Sequence, residues 1–477
     1  MSNSLSRRDF IKRTALAAGA ASTAGFITQS AWAAPRPLGG DKLNCVQVGC
    51  GGRAMSHLDA VIGTNAQNLY AIVDADETQF AKVMKWLKKK NLDSIKPQFF
   101  TDYRVMYDKI GKNVDAVFVT TPNHHHATVA MMAIQAGRNV YCEKPLVHDV
   151  SEARRLRKMA ADNPKIATQM GNQGHCEEGY RRLCEYIWSG AIGNITETHS
   201  WTDRANGGIG PRPPVLPVPK GMNWDSWIGP APYRDFHSDL HPHEWHGWYD
   251  FGNGSIGNMG CHILDGVFWA LKVGDPDSIE VEVQRGGSPE RYPTGCRLRW
   301  DIPAREGMVP FKAYWYEGLN QNTSASADGS LRTAKGDSRN LPPLFKELQA
   351  KYPDEEFDSN GTFYVGDKGI LYTGTYGEHM RMVPREKMTE MPAPPKTLPR
   401  PKDVFTNFVQ TCLAGRTDTA TPFEYGARLT EFAILGNLAQ HIGPGVKLEW
   451  DGPNMKVKNI PALSAWLHRN PREGWAV

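Results

Sequence analysis

The strongest constraint on this chain is an apolar run, Leu43-Asn44-Cys45-Val46-Gln47-Val48, that passes without a break into Gly49-Cys50-Gly51-Gly52-Arg53-Ala54. A buried strand that turns into a helix through G-x-G-x-x-A has few uses. The first glycine permits the tight turn, the second lets backbone approach a diphosphate, and Ala54 keeps helix and strand close. The amino end of a helix running on through Ala60 then offers free amides and a positive dipole end to phosphate oxygens. A second strand, Leu69-Tyr70-Ala71-Ile72-Val73, ends in Asp74, 25 residues after Gly49. A carboxylate there accepts from adenosine ribose hydroxyls and repels a 2′-phosphate. The pattern predicts a Rossmann domain that takes NAD in preference to NADP. Gly49, Gly51, Gly52, Arg53, Ala54 and Asp74 would make or shape its cofactor contacts.

The alternation of strand and helix continues. Val114 to Thr120 reads as a strand and runs into Thr121-Pro122-Asn123-His124-His125-His126. A helix through Ala136 follows, and Asn139-Val140-Tyr141-Cys142 then runs into Glu143-Lys144-Pro145. Such an order implies a parallel sheet whose loops at the strand carboxyl ends line a ligand crevice. Thr121, Pro122, Asn123, His126, Glu143 and Lys144 are therefore expected beside the cofactor. The fold class expected is α/β, with a first domain over 41–170 that closes on a strand from Lys165 to Met170. A second domain over 171–445 carries strand-like runs at Ile279–Gln284, Arg297–Ile302 and Phe311–Tyr316. Amphipathic helices at Val404–Leu413 and Glu424–His441 would close it. Residues 446–477 read as a tail packed on that domain. Pro-rich stretches at 211–220 and 391–401 read as loops or arms, and 320–345 as a surface insertion.

The first 33 residues read as an address. Ser6-Arg7-Arg8-Asp9-Phe10-Ile11-Lys12 fits a twin-arginine signal, a weakly apolar run from Thr14 to Ile27 follows, and Ala31-Trp32-Ala33 offers a peptidase site. The run is too short and too rich in small polar residues for a membrane span. The expectation is a periplasmic protein exported folded by the twin-arginine machinery, with its nucleotide tightly held. The formal charge is +4, and the signal holds four basic residues against Asp9, which leaves the rest near +1. Nucleic acid is therefore not an expected partner. Eight cysteines at scattered positions include no CxxC pair, which argues against a disulfide scaffold or a metal cluster.

GxGxxA, T-P-N-x-x-H and E-K-P in this order resemble the Gfo/Idh/MocA family, the glucose–fructose oxidoreductase and inositol dehydrogenase group. Gly254 to His262 resembles the family's glycine-rich run ending in D-x-x-x-H, and Phe363 to Gly369 a strand-turn of its second domain. The resemblance implies a carboxy-terminal α/β domain on a large open, mostly antiparallel sheet, and a homo-oligomer, dimer or tetramer. It implies a small-molecule sugar, glycoside or cyclitol as substrate.

Removing hydride from a carbinol carbon also needs an acceptor for the hydroxyl proton. Lys144 is one candidate catalytic residue. The residues alone leave it as a crevice lysine with a lowered pKa, a salt bridge to Glu143, or a solvated strand end. The resemblance places it by substrate. His262 is the second candidate, as general base or proton shuttle. At 100° per residue, Asn258, His262, Asp265 and Trp269 share one stripe of a helix starting near Asn258. Asn258 stands where the family pattern usually has aspartate, so it can bond a hydroxyl but hold no charge. The segment His237 to Asp250 tempts a metal reading, yet its spacing is not HExxH. It is better read as a sugar-binding loop, with His243, Trp245 and Arg204 contacting substrate and no metal. Arg181 and Arg182 either reach the site or face solvent. Three functions stay open: an oxidoreductase on CH–OH groups, an NAD-dependent glycoside-cleaving enzyme using transient oxidation and elimination, and a non-catalytic sugar sensor.

Overall fold

The structure, a computed structural model, describes residues 41–321 and 333–477. The twin-arginine segment and much of the expected insertion at 320–345 lie outside the described residues. The insertion's end is not loop: Pro343–Lys351 is a helix that buries Phe345 and Leu348 beside Trp201.

The first sheet holds β1 (Asn44–Val48), β2 (Asn68–Val73), β3 (Gln98–Phe100), β4 (Ala116–Val119), β5 (Asn139–Glu143) and β6 (Thr168–Gly171). Its order is β3-β2-β1-β4-β5-β6 and every pairing is parallel. Strand order reverses between β1 and β4, which opens a crevice at their carboxyl ends. β4 is buried at every residue, as a strand covered on both faces by helices must be. Helix α1 (Gly52–His57) follows the glycine loop and continues as a π-helical segment over Leu58–Thr64 rather than ending at Ala60. Helix α2 (Asn123–Gln135) has Pro122 as its amino-terminal cap.

The second sheet has nine strands, β7 (Ile195–Thr202), β8 (Ser278–Arg285), β9 (Gly295–Ile302), β10 (Phe311–Gly318), β11 (Gly361–Gly366), β12 (Gly369–Gly374), β13 (Arg381–Val383), β14 (Lys447–Asp451) and β15 (Lys456–Val457). Their order is β13-β12-β11-β7-β10-β9-β8-β14-β15, antiparallel except for β7 beside β10. The stretch read as a tail thus supplies two strands, because β14 pairs with β8. On one face Arg299 spans Glu280 and Glu282 at 3.0 and 3.1 Å. The other face packs against helix α3 (Phe423–Ile442), where Trp300 lies 4.9 Å from the Phe432 ring. Expected to be amphipathic, α3 is buried on nearly every side, since the helix Val150–Asp162 covers it from the first domain.

The two domains also share a sheet edge. β6 is the last strand of the first sheet, and a segment from the far end of the chain lies along it. Met170 N donates to Thr421 O at 2.8 Å. Thr421 Oγ1 donates to Met170 O at 2.7 Å and Thr419 Oγ1 to Thr168 O at 2.6 Å, and residues 419 and 168 are 251 positions apart.

Candidate active site

The loops leaving β1, β4 and β5 meet at one cleft of about 640 Å³. Gly49 has φ +82°, and a Cβ there would lie 2.7 Å from the Thr120 carbonyl carbon, so the turn needs glycine. A Cβ on Gly51 or Gly52 would meet nothing within 4 Å, which leaves bare backbone facing open space. Ala54 is fully buried under the loop and lies outside the cleft lining. Asp74 accepts from Cys50 N at 2.6 Å and Asp76 N at 2.9 Å. Burial raises its carboxyl to about 6. The buried Thr121 hydroxyl and Gln173 Oε1 have no protein partner, and both residues line the cleft. Open glycine backbone, an edge carboxylate and unpartnered polar atoms together fit a dinucleotide.

Arg53 and Glu143 serve each other. Arg53 Nε lies 2.8 Å from Glu143 Oε1, and His57 Nε2 reaches the same oxygen at 2.9 Å. Burial opposes the carboxylate, yet Arg53 and His57 together hold Glu143 well below the usual range. This pairing ties the β5 loop to α1, and it takes Glu143 away from Lys144. Lys144 Nζ instead donates to Asn258 O at 2.6 Å and stands 3.5 Å from Asn258 Oδ1. Burial lowers its pKa, with Glu143 opposing. The bond from Lys144 to Pro145 is cis.

His262 is buried, and its Nδ1 lies 3.0 Å from Asn172 Oδ1. That bond places the proton on Nδ1 and leaves Nε2 as an acceptor. Burial first, and then the Lys144 charge, keep the imidazole well below its ordinary pKa. Tyr376 packs edge-on at 4.8 Å and shares the lining. The expected helix stripe divides. Ile256–Gly260 forms a π-helical turn that adds a residue per turn, so Asn258 and His262 face the cleft while Asp265 and Trp269 do not. Asp265 instead meets His175 Nδ1 at 3.0 Å, and Trp269 stacks on the same ring at 3.8 Å. Asn258 Nδ2 donates to Asn206 Oδ1 at 2.9 Å.

Among the other expected contacts, Thr121, Pro122, Asn123, His126, His243 and Trp245 all line the cleft. Asn123 Nδ2 donates to Asn253 Oδ1 at 3.0 Å, bridging the domains. Both nitrogens of His126 are occupied by backbone carbonyls, Pro145 O at 2.7 Å and Thr121 O at 2.8 Å, so its ring fixes two loops. Trp245 is buried against His246, centroids 3.6 Å apart. Arg204 lies outside the lining; its guanidinium donates to Thr333 Oγ1 at 2.9 Å. Arg181 is buried over Trp269, and Arg182 pairs with Glu185, so neither reaches the cleft. Among the described residues no group of three or more His, Cys, Asp or Glu is placed to hold a metal ion. Sequence reasoning missed Asn172, Gln173 and Tyr376. Asn172 and Gln173 follow the last strand of the first sheet, the usual place for a site residue, which was the available signal. Nothing local marks Tyr376.

Residues 43–171 match the model for the oxidoreductase family, NAD-binding Rossmann fold, and residues 198–292 that for the oxidoreductase family, C-terminal alpha/beta domain. The inositol 2-dehydrogenase of Salmonella typhimurium is 35% identical over 99 residues, 20% of this chain and 30% of its own. A glycosyl hydrolase family 109 protein of Shewanella baltica is 29% identical over 196 residues, 37% of this chain and 41% of its own. The chain thus spans well under half the length of these relatives. The WlbA dehydrogenase of Bordetella pertussis, solved with NADH and UDP-GlcNAcA, superposes with a TM-score of 0.55 at 15% identity. That match covers 86% of this chain and 99% of the other, and it supports the two-domain fold. Residues 43–171 and 198–292 are thus similar, in order, to the NAD-binding and carboxy-terminal domains of the Gfo/Idh/MocA oxidoreductase family.

Proposed function

We propose that this chain is an NAD-dependent oxidoreductase acting on a CH–OH group of a sugar, glycoside or cyclitol. The observation that carries the proposal is the pairing of Lys144 and His262 on the wall of the cleft that also holds the glycine loop. NAD bound at the glycine loop supplies an acceptor for the hydride leaving the carbinol carbon. The hydroxyl proton passes to His262 Nε2, the nitrogen left open by the Nδ1 bond to Asn172. Lys144, with no carboxylate partner, donates to the same oxygen and stabilises its developing negative charge. Asn258 orients the ammonium through its backbone carbonyl, and His243 and Trp245 border the remaining space. The test is mass spectrometry of the nucleotide bound to native protein, then a panel of sugars and cyclitols assayed for NADH in single turnover. No reduction with any member of the panel sinks the proposal.

The 196-residue match to a family 109 glycosyl hydrolase favours a second reading, transient oxidation followed by elimination of an aglycone. Both readings share the first step. Aglycone release without net NADH selects the second. We further infer a homo-oligomer built on the Arg299 face of the nine-stranded sheet, and light scattering that finds only monomer would rule it out.

A further inference from the structure

A second cavity, of about 380 Å³, lies between the helix Val150–Asp162, α3 and the segment 465–470. It is separate from the cleft and within the size range of small-molecule pockets, about 300–1,000 Å³. Its walls are aromatic: Tyr249 lies 4.3 Å from Tyr292, and Trp466 lies 3.7 Å from His441. Three of its residues hold polar atoms that are buried without a protein partner. Asn437, 7% exposed, spends Nδ2 on Asn253 O at 3.1 Å and leaves Oδ1 unused. Asp149, 8% exposed, bonds Ser151 and Glu152 through Oδ1 and leaves Oδ2 unused. Arg469 donates through Nη2 to Glu152 Oε1 at 2.7 Å and His124 O at 2.8 Å, and leaves Nη1 unused. Buried polar atoms without partners are costly, and here donor and acceptor types occur in one lined space.

We propose that this cavity binds a single neutral polyhydroxylated ring, a monosaccharide or cyclitol. The charge arrangement selects a neutral ligand. Glu152 matches the Arg469 guanidinium, and Arg234 matches Asp250 at the rim. Burial raises the Asp149 carboxyl to about 7, so it serves hydroxyls as donor or acceptor. Aromatic faces pack on ring C–H groups, while Asn437, Asp149 and Arg469, which line the same cavity, meet hydroxyls. Exposed Ala465, Trp466, His468 and Asn470 form the mouth. The inference stands on the cavity alone and does not need turnover in the cleft.

The test is calorimetry on NAD-saturated full-length protein with myo-inositol, D-glucose and N-acetyl-D-glucosamine as probes. It compares the parent, a Lys144→Ala/His262→Ala double variant, Trp466→Ala and Asn437→Ala. One saturable event is expected to persist in the double variant. It should weaken roughly tenfold in Trp466→Ala and in Asn437→Ala, the scale of one lost aromatic wall or buried hydrogen bond. Trp466 is 38% exposed, so its replacement keeps the test open if Asn437→Ala fails to fold. No saturable binding of any probe, or binding that neither variant weakens, overturns the proposal. A failure of the proposed oxidoreductase activity shows separately, as absent NADH formation with calorimetry unchanged.

Discussion

His262 and Lys144 reach one cleft by different means, and their neighbours decide what each can do. His262 owes its tautomer to Asn172, and Lys144 owes its freedom to the Arg53–Glu143–His57 group, which consumes the adjacent carboxylate. Replacing either with alanine should lower turnover by about a hundredfold or more. Nucleotide titration should show NAD binding retained in both. Full activity in His262→Ala would place the base elsewhere. Asn258 allows a sharper measurement. Read as one turn before His262 in a regular helix, an aspartate there is expected to raise the histidine pKa. The π-helical turn instead sets Asn258 Oδ1 3.5 Å from Lys144 Nζ. A carboxylate beside an ammonium favours the charged form, so Asn258→Asp should raise the Lys144 pKa. The protonated lysine would then persist to higher pH, and the alkaline limb of kcat/KM should move upward. An unmoved alkaline limb would refute this.

At the scale of elements, the β2 terminus is expected to set cofactor choice. Burial holds the Asp74 carboxyl at about 6, so it is charged at neutral pH and neutral below that value. NAD should bind better than NADP at neutral pH, and the gap should narrow as pH falls through 6. Asp74→Ala should narrow it at all pH values; tighter binding of NADP to stripped parent protein would contradict the assignment. Strand and loop positions in the first domain were legible because period, glycine turn and buried alternation agree there. The second domain was less so. β7 carries Thr196, Glu197, Thr198, His199 and Ser200, too polar to read as a strand without its neighbours. α3 looked amphipathic because Glu424, Arg428 and Glu431 suggest a solvated face, whereas Glu424 and Glu431 pair with Arg157 and Arg154 of the first-domain helix. Arg204 is expected at a substrate hydroxyl, and no local pattern shows that it also donates to Thr333, 129 positions away.

For the whole molecule, the outcome depends on residues the structure does not describe. Replacing Arg7 and Arg8 with lysine should leave precursor in the cytoplasm, measured by cell fractionation, and protein isolated from the periplasm should carry NAD(H). Unchanged export would show the signal was misread. The edge of the first sheet adds a consequence in time. Thr419 and Thr421 cover β6 only after some 251 further residues have been made. At the usual pace of synthesis, about 5–20 residues per second, that strand waits on the order of ten to fifty seconds with its outer hydrogen bonds unmade. The nucleotide-binding domain therefore cannot complete this edge before residue 421, with only 56 residues of the chain still to follow, leaves the ribosome. A protein assembled in that order is poorly suited to being threaded across a membrane as it is made, and well suited to leaving only when complete.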